Sequence, residues 1–301
     1  MSDGIELRHL RYFLGVAAAE SFTRAAERLG VSQPSVSQQV KDLETRLGTP
    51  LFRRLGGHVE LTEAGRAFRL AAEVALRKVD DAADSVRALT DLETGHVEIG
   101  VIPALHLAWV PAALARLARA APGVTASVRE LPAHEIVREL SAGRLDLGLC
   151  LLRQEAPGLV ARRLLRQHLE LVAPAKHALA ASDAVELAAL TEERLVLLPP
   201  SFDMRHEVDD LLRRAGLRAQ RAHEIDTLDS TLRTVLATGR ATILPPIVLT
   251  GREHLRLVHR PFAGRHRAID FGLVRPDADP TPAARAFEAA LLEHLGDRAA
   301  T

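Results

Sequence analysis

Two helix starts packed around one glycine turn constrain this chain more than any other feature. Ser21 can N-cap a short helix whose buried face is Phe22, Ala25, Ala26 and Leu29, and Gly30 ends it where positive φ costs least. Only Val31 separates Gly30 from a second cap, Ser32. Pro34 then falls in the first turn of the next helix, where its missing N–H does no harm. Val36, Val40, Leu43 and Leu47 follow i, i+4, i+7 and i+11, which leaves Pro34, Ser37, Gln38 and Lys41 on the opposite side. An earlier stripe of Leu10, Phe13, Leu14 and Ala17 marks a first helix. Two short helices joined by a tight turn, the second presenting amides, hydroxyls and a cation, form the geometry that puts base-reading groups into a DNA major groove. The plainer alternative is a three-helix bundle with a polar outer face.

In that geometry Gln33 and Gln38 can pair with adenine edges, Ser35 and Ser37 can reach bases or phosphates, and Lys41 suits phosphate. After Gly48-Thr49-Pro50, residues 51–54 and 59–61 flank Gly56-Gly57 and read as a small hairpin. Such a wing carries Arg53 and Arg54 to phosphates, or leaves them as solvated strand-end charges. Over the whole chain, 39 Lys and Arg balance 39 Asp and Glu, so no global field draws it to polyanions. Attraction to DNA must be local. Between Ser21 and His58, Arg24, Arg28, Lys41, Arg46, Arg53 and Arg54 face only Glu27, Asp42 and Glu44, a net +3.

From residue 63 to about residue 92 there is no Pro and no Gly beyond Gly65, and Phe68, Ala72, Ala75, Val79, Ala82, Val86 and Leu89 alternate spacings of four and three. That is a coiled-coil seam. A helix of roughly 30 residues extends about 45 Å, so its narrow stripe is expected to pack on a second copy of the chain. The alternative is a helix lying on the chain's own C-terminal part. Because the seam is rich in alanine, the C-terminal part is expected to help hold the dimer.

After Gly95 the pattern changes to strands at 96–101, 124–130 and 145–149 alternating with helices at 108–120 and 134–142. A second series follows: strands at 169–173, 195–198, 221–225 and 242–244, with helices at 204–215 and 228–238. A strand at 267–274 and an amphipathic helix at 281–295 close the chain. The alternation implies two α/β lobes with parallel sheet covered on both faces. Ligands of open α/β sheets sit where strands end and helices begin. The candidates are therefore Ile102, Pro103 and Ala104, Cys150 beside Leu151, Ser201 and Phe202 before Asp203, and Asp226 with Thr227. Ser201 and Thr227 offer hydroxyls and Phe202 an apolar wall. Each alone reads equally well as a cap or packing residue, and only convergence on one cleft makes a site.

A chain of 301 residues exceeds what one core usually serves, so two or more domains are expected. One cysteine, Cys150, excludes an intrachain disulfide. No Gly-x-Ser-x-Gly elbow, Gly-rich phosphate loop or His-Glu-x-x-His is present, and the 13 histidines lack metal-ligand spacing. We expect no catalysis, no metal and no cofactor. No apolar run approaches the roughly 20 residues that cross a bilayer, and residues 1–4 lack the character of a signal peptide. That favours the cytoplasm over membranes, and argues against an exported solute-binding protein.

The stretches Leu7-Arg8-His9-Leu10-Arg11-Tyr12-Phe13, Ser21-Phe22-Thr23-Arg24-Ala25-Ala26, Val31-Ser32-Gln33-Pro34-Ser35-Val36-Ser37, Leu43-Glu44, Leu47-Gly48, Leu51-Phe52-Arg53-Arg54 and Leu61-Thr62-Glu63-Ala64-Gly65 occur in fixed order. Together they resemble the winged helix-turn-helix of the LysR-type transcriptional regulators. Leu195-Val196-Leu197-Leu198 with Ile243-Leu244-Pro245-Pro246 looks like the cyanate-operon-regulator branch.

The resemblance implies a multidomain protein. An N-terminal all-α winged helix-turn-helix (residues 1–62) and a long linker helix that dimerises (63–93) would precede a C-terminal α/β periplasmic-binding-protein-like domain of two lobes (94–301). Lobe I would comprise about 94–165 and 268–301, and lobe II about 166–267. It implies that Gln33, Pro34, Ser35, Ser37 and Gln38 contact bases and backbone and that Thr23 touches phosphate, with Ser32, Lys41, Arg53 and Arg54 on the same surface. The implied partners are promoter DNA carrying an interrupted palindrome, a small-molecule effector, RNA polymerase, and the chain itself as homodimer or homotetramer. Three departures stand out. Many members carry Arg at the position of Gln38, further basic residues where this chain has Gly57 and Glu60, and Ser or Thr where it has Pro103 and Ala104. The last suggests a smaller or less polar effector.

Overall fold

Both serine caps form. The computed structural model describes residues 4–55, 58–87, 95–153, 156–218 and 220–299. In it α1 (Leu7–Ala19), α2 (Phe22–Leu29) and α3 (Gln33–Leu47) follow in succession. Ser21 Oγ accepts the Arg24 N–H and Ser32 Oγ accepts the Ser35 N–H, each at 3.4 Å. Gly30, at φ 69°, closes α2 in the left-handed region, where a side chain is strained. The strands β1 (Phe52–Leu55) and β2 (His58–Leu61) pair antiparallel, with Phe52 opposite Leu61 and Arg53 opposite Glu60, and α4 (Glu63–Arg87) follows.

Contacts divide the chain into two compact units, Met1–Arg87 and Ala88–Thr301. In the first, Val16, Ala19, Ala25, Ala26, Val36 and Val40 form one core cluster between the first three helices. Leu10, Phe13, Leu43, Leu51 and Ala72 form another. Phe52 serves both and anchors the wing through Phe13 and Phe22, at ring separations of 5.2 and 5.8 Å. Leu29, expected inside, is exposed and lies over Gly15, where a Cβ would come within 2.8 Å of it.

The second cluster corrects the expected seam of α4. Ala72 is 1% exposed and Phe68 packs edge-on to Phe13 at 5.1 Å. The first turns of α4 thus complete the N-terminal core, because α1 offers an apolar face there that wing and α3 leave open. Ala75, Val79 and Ala82 remain exposed, as does Leu70. Leu89 lies outside the described residues, as do the side chains of Val86 and Arg54.

In the second unit β3 (Gly95–Val101), α5 (Pro103–Ala120), β4 (Val124–Glu130), α6 (Ala133–Ser141) and β5 (Leu147–Leu151) build the first lobe in strand-helix alternation. The chain leaves along β6 (Leu159–Gln167). The second lobe comprises β7 (Glu170–Pro174), β8 (Arg194–Leu197), α7 (Asp203–Arg214), β9 (Gln220–Glu224), α8 (Leu228–Thr238), β10 (Thr242–Leu244) and β11 (Leu257–Pro261). Then β12 (Ile269–Pro276) and α9 (Pro282–Ala299) return to the first.

The first sheet has strand order β4-β3-β5-β12-β6. Its β3 pairs parallel with β4 and β5, whereas β12 is antiparallel to both neighbours, so the expected all-parallel sheet is corrected to a mixed one. The reason is topological: the chain leaves along β6 and re-enters along β12 at the same end of the sheet. In the second lobe β10-β7-β11 is antiparallel and β8-β9 parallel, joined where Val196 N–H donates to the Ala241 carbonyl at 3.0 Å. Two strands, β6 and β11, were not expected. In β6 a bulge opposite Phe271/Gly272 breaks the period-two pattern.

Candidate DNA-reading surface and ligand cavity

On α3 the burial of Val36, Val40 and Leu43 turns the opposite face outward, and Pro34, Gln38 and Lys41 are exposed there. Gln33, Ser35 and Ser37 are half-buried at its edge, and Ser32 and Thr23 are exposed. The expected reading residues of α3 thus remain open to solvent on the side away from its core face. Two of the expected residues have partners within the chain. Gln38 Nε2 donates to Asp42 Oδ1 at 2.7 Å, and Arg53 meets Glu60 Oε2 at 3.0 Å across the wing. A third carboxylate holds the wing to the helix, since Glu44 Oε1 accepts the N–H groups of Leu51 and Phe52 at 2.7 and 3.1 Å. Sequence reasoning missed Glu44 because its role depends on two backbone donors that face it only after the turn at Gly48 to Pro50.

Within the second unit a cavity of about 130 Å³ lies between the two lobes, at the ends of β3 and β5 on one side and of β8 and β10 on the other. Ile102, Pro103, Ala104 and Phe202 line it as expected, and Leu131, Pro132, Leu151, Leu198, Met204, Leu228, Leu244 and Val248 complete the apolar walls. Among the described lining residues the charged groups are Glu130 and Asp203. Arg252, buried beneath, holds one wall: it donates to Asp229 at 2.5 Å and to the Val248 carbonyl at 3.1 Å.

Four expected candidates are corrected. Ser201 and Asp226 are exposed and do not line the cavity. Thr227 is likewise outside, its hydroxyl capping α8 by accepting the Ser230 N–H at 3.3 Å. Cys150 is 1% exposed inside β5, where its neighbour Leu151 faces the cavity instead. Alternation along the strand sends adjacent side chains to opposite faces. Burial, with the negative charge of Asp203 adding to it, pushes the Cys150 thiol up to about 12.

Asp203 stands out among the lining residues. From the first turn of α7 in the second lobe, its Oδ2 accepts the N–H of Ala133, the first residue of α6 in the first lobe, at 2.9 Å. Its Oδ1 lies 3.5 Å from the Arg153 guanidinium, which also meets Glu207 at 3.1 Å. Glu130 is paired with His106 Nδ1 at 2.9 Å. Among the described residues no group of His, Cys, Asp and Glu is arranged to hold a metal ion, and no helix is long and apolar enough to cross a membrane.

A DNA-reading winged helix-turn-helix carried in one chain with a ligand-type pair of lobes defines a transcriptional regulator that has its own sensing domain. The comparisons agree. Residues 7–66 match the bacterial regulatory helix-turn-helix proteins of the lysR family, and residues 90–296 match the LysR substrate binding domain. The regulator IlvR of Caulobacter vibrioides is 36% identical over 296 residues, spanning 92% of this chain and 95% of that protein. TfdS of Cupriavidus pinatubonensis is 33% identical over 262 residues, 86% of each. Full-length CbnR in complex with its target DNA has the same fold, with TM-score 0.74 at 24% identity over 96% of this chain and 99% of that one. The chain belongs to the LysR family of DNA-binding transcriptional regulators.

Proposed function

We propose that this regulator binds an interrupted palindrome in promoter DNA as a homodimer or homotetramer, and that a small molecule in the interlobe cavity alters its DNA bending and its contact with RNA polymerase. The observation that carries the reading is the outward polar face of α3, from Ser32 to Lys41, capped by Ser32 and braced by the wing. Gln33, Ser35, Ser37 and Gln38 read bases, while Thr23, Lys41, Arg53 and Arg54 engage phosphates. The exposed Leu70, Ala75, Val79 and Ala82 of α4 form the contact between copies.

The mostly apolar walls of the cavity suit the binding of a small molecule. A regulator of this kind works in the cytoplasm and needs no cofactor. A ligand shifts its output only by binding the two arrangements of the dimer differently.

Footprinting on the DNA upstream of its own gene and of the adjacent divergent gene, with and without candidate metabolites, tests the proposal. We expect two protected half-sites whose spacing or hypersensitivity changes with ligand. Protection without dyad symmetry, or a footprint that no metabolite alters, overturns it.

A further inference from the structure

We infer that the interlobe cavity selects a small uncharged and mostly apolar molecule, of the size of a single six-membered ring, and rejects carboxylates and phosphates. The inference rests on the effector reading above and names the ligand class for that site.

Helix N-termini are ready anion sites because their first N–H groups are free and the dipole favours negative charge. The starts of four helices reach the cavity, and each carries a feature of this chain that weakens its pull on an anion. α5 begins with Pro103, which has no N–H to offer. At α6 the Ala133 N–H donates to Asp203 Oδ2 at 2.9 Å. α7 begins with Asp203 itself, so its positive end faces its own carboxylate. At α8 the Thr227 hydroxyl accepts the Ser230 N–H.

No lysine or arginine is among the described lining residues, and the two charged groups present, Asp203 and Glu130, are both carboxylates. An incoming carboxylate would meet like charge inside an apolar wall, and the nearby Arg153 is already shared between Asp203 and Glu207. An ammonium fares little better. Asp203 already serves Ala133 and lies beside Arg153, and Glu130 is paired with His106. The remaining walls, Ile102, Leu131, Leu151, Phe202, Met204 and Leu244 among them, favour hydrocarbon. In size the space of about 130 Å³ compares with the roughly 150 Å³ apolar cavity known to take benzene.

Calorimetric titration of the full-length protein with phenol, benzoate and benzylamine compares one ring carrying no charge, a negative charge and a positive charge. Phenol is expected to bind at least tenfold more tightly than either ion. Ala104→Leu, which fills the cavity, should abolish phenol binding while circular dichroism shows an unchanged fold. Asp203→Asn, which removes the resident anion, should narrow the preference of phenol over benzoate. Wild-type protein that binds benzoate or benzylamine as well as phenol, or that binds none of the three, overturns the inference. So does phenol binding that survives in a folded Ala104→Leu protein. Footprints taken with the same ligands separate this failure from the other: phenol that binds without changing the footprint leaves the ligand class standing and removes the effector role.

Discussion

Glu44 accepts the backbone N–H of Leu51 at 2.7 Å, and through this bond the recognition helix fixes the entry to the wing. The same oxygen takes the Phe52 N–H, so one side chain serves two donors that no strand partner satisfies. Glu44→Ala leaves both unpaired next to the buried Leu51 and should cost about 1–3 kcal/mol of the N-terminal unit's stability. Thermal unfolding of the full chain, followed by a DNA mobility shift, measures the loss and the weaker binding that a displaced wing entails. Glu44→Gln, which keeps an oxygen acceptor, should lose less.

Phe68 and Val79 lie on the same helix but have opposite fates, one inside the N-terminal core and one 38% exposed. If α4 forms the proposed contact between copies, Val79→Lys lowers the sedimentation coefficient while each chain stays folded. Phe68→Ala removes a half-buried ring that packs on Phe13 and should destabilise the N-terminal unit by about 1–2 kcal/mol. An unchanged dimer in Val79→Lys would remove α4 from the interface.

Arg53 is held by Glu60 across the wing at 3.0 Å, both side chains being well exposed. Such an exposed pair adds little stability, but it neutralises a cation on the reading surface. Glu60→Gln should tighten DNA binding several-fold and steepen the salt dependence by about one counterion released per half-site. Binding isotherms at several salt concentrations give the slope, and an unchanged slope would place Arg53 away from phosphate.

Glu139 is almost buried at the end of α6, where hydrogen bonding from Arg144 outweighs desolvation and, with the charges of Arg144 and Arg129, lowers its pKa from 4.5 to about 2. A depressed carboxylate stabilises the fold above its unfolded pKa and loses that contribution as pH falls through the folded value. The stabilisation is therefore complete above about pH 5 and gone below about pH 2, on the order of 3 kcal/mol. Denaturant unfolding of Glu139→Gln should show a flatter pH dependence across that window and lower stability at neutral pH.

Cys150 is buried and its thiol is pushed up to about 12, so the reactive thiolate is scarce at neutral pH. The native protein should react with a thiol reagent only as fast as it unfolds, and peroxide should leave its DNA binding unchanged. Rapid modification of the folded protein would show that β5 opens.

The lobes were legible in outline because strand-helix alternation is written in hydrophobic period. The missed strands show its limit. β6 is an edge strand whose alternation is broken by Arg162, Arg163 and a bulge, so its pattern resembles a solvated loop. The cavity was half legible. Ile102, Pro103, Ala104 and Phe202 sit at strand-to-helix junctions that the pattern marks. Leu131, Leu198 and Val248 come from loops and a short 3-10 turn with no periodicity to read.

The sequence by itself determined the reading head, because caps, glycine turns and apolar spacing act over a few residues and require nothing from the rest of the chain. Ser21, Gly30, Ser32 and Pro34 suffice to place α2 and α3 and to turn Gln38 and Lys41 outward. The tertiary structure alone decided which half of the α4 stripe is buried at home, that Gln38 and Arg53 face acidic partners, and that Asp203 fills the start of α6. Each of these depends on groups distant in sequence or on the competition between neighbouring faces for the same core. Burial and hydrogen bonding settle that competition in three dimensions, after local spacing has had its say.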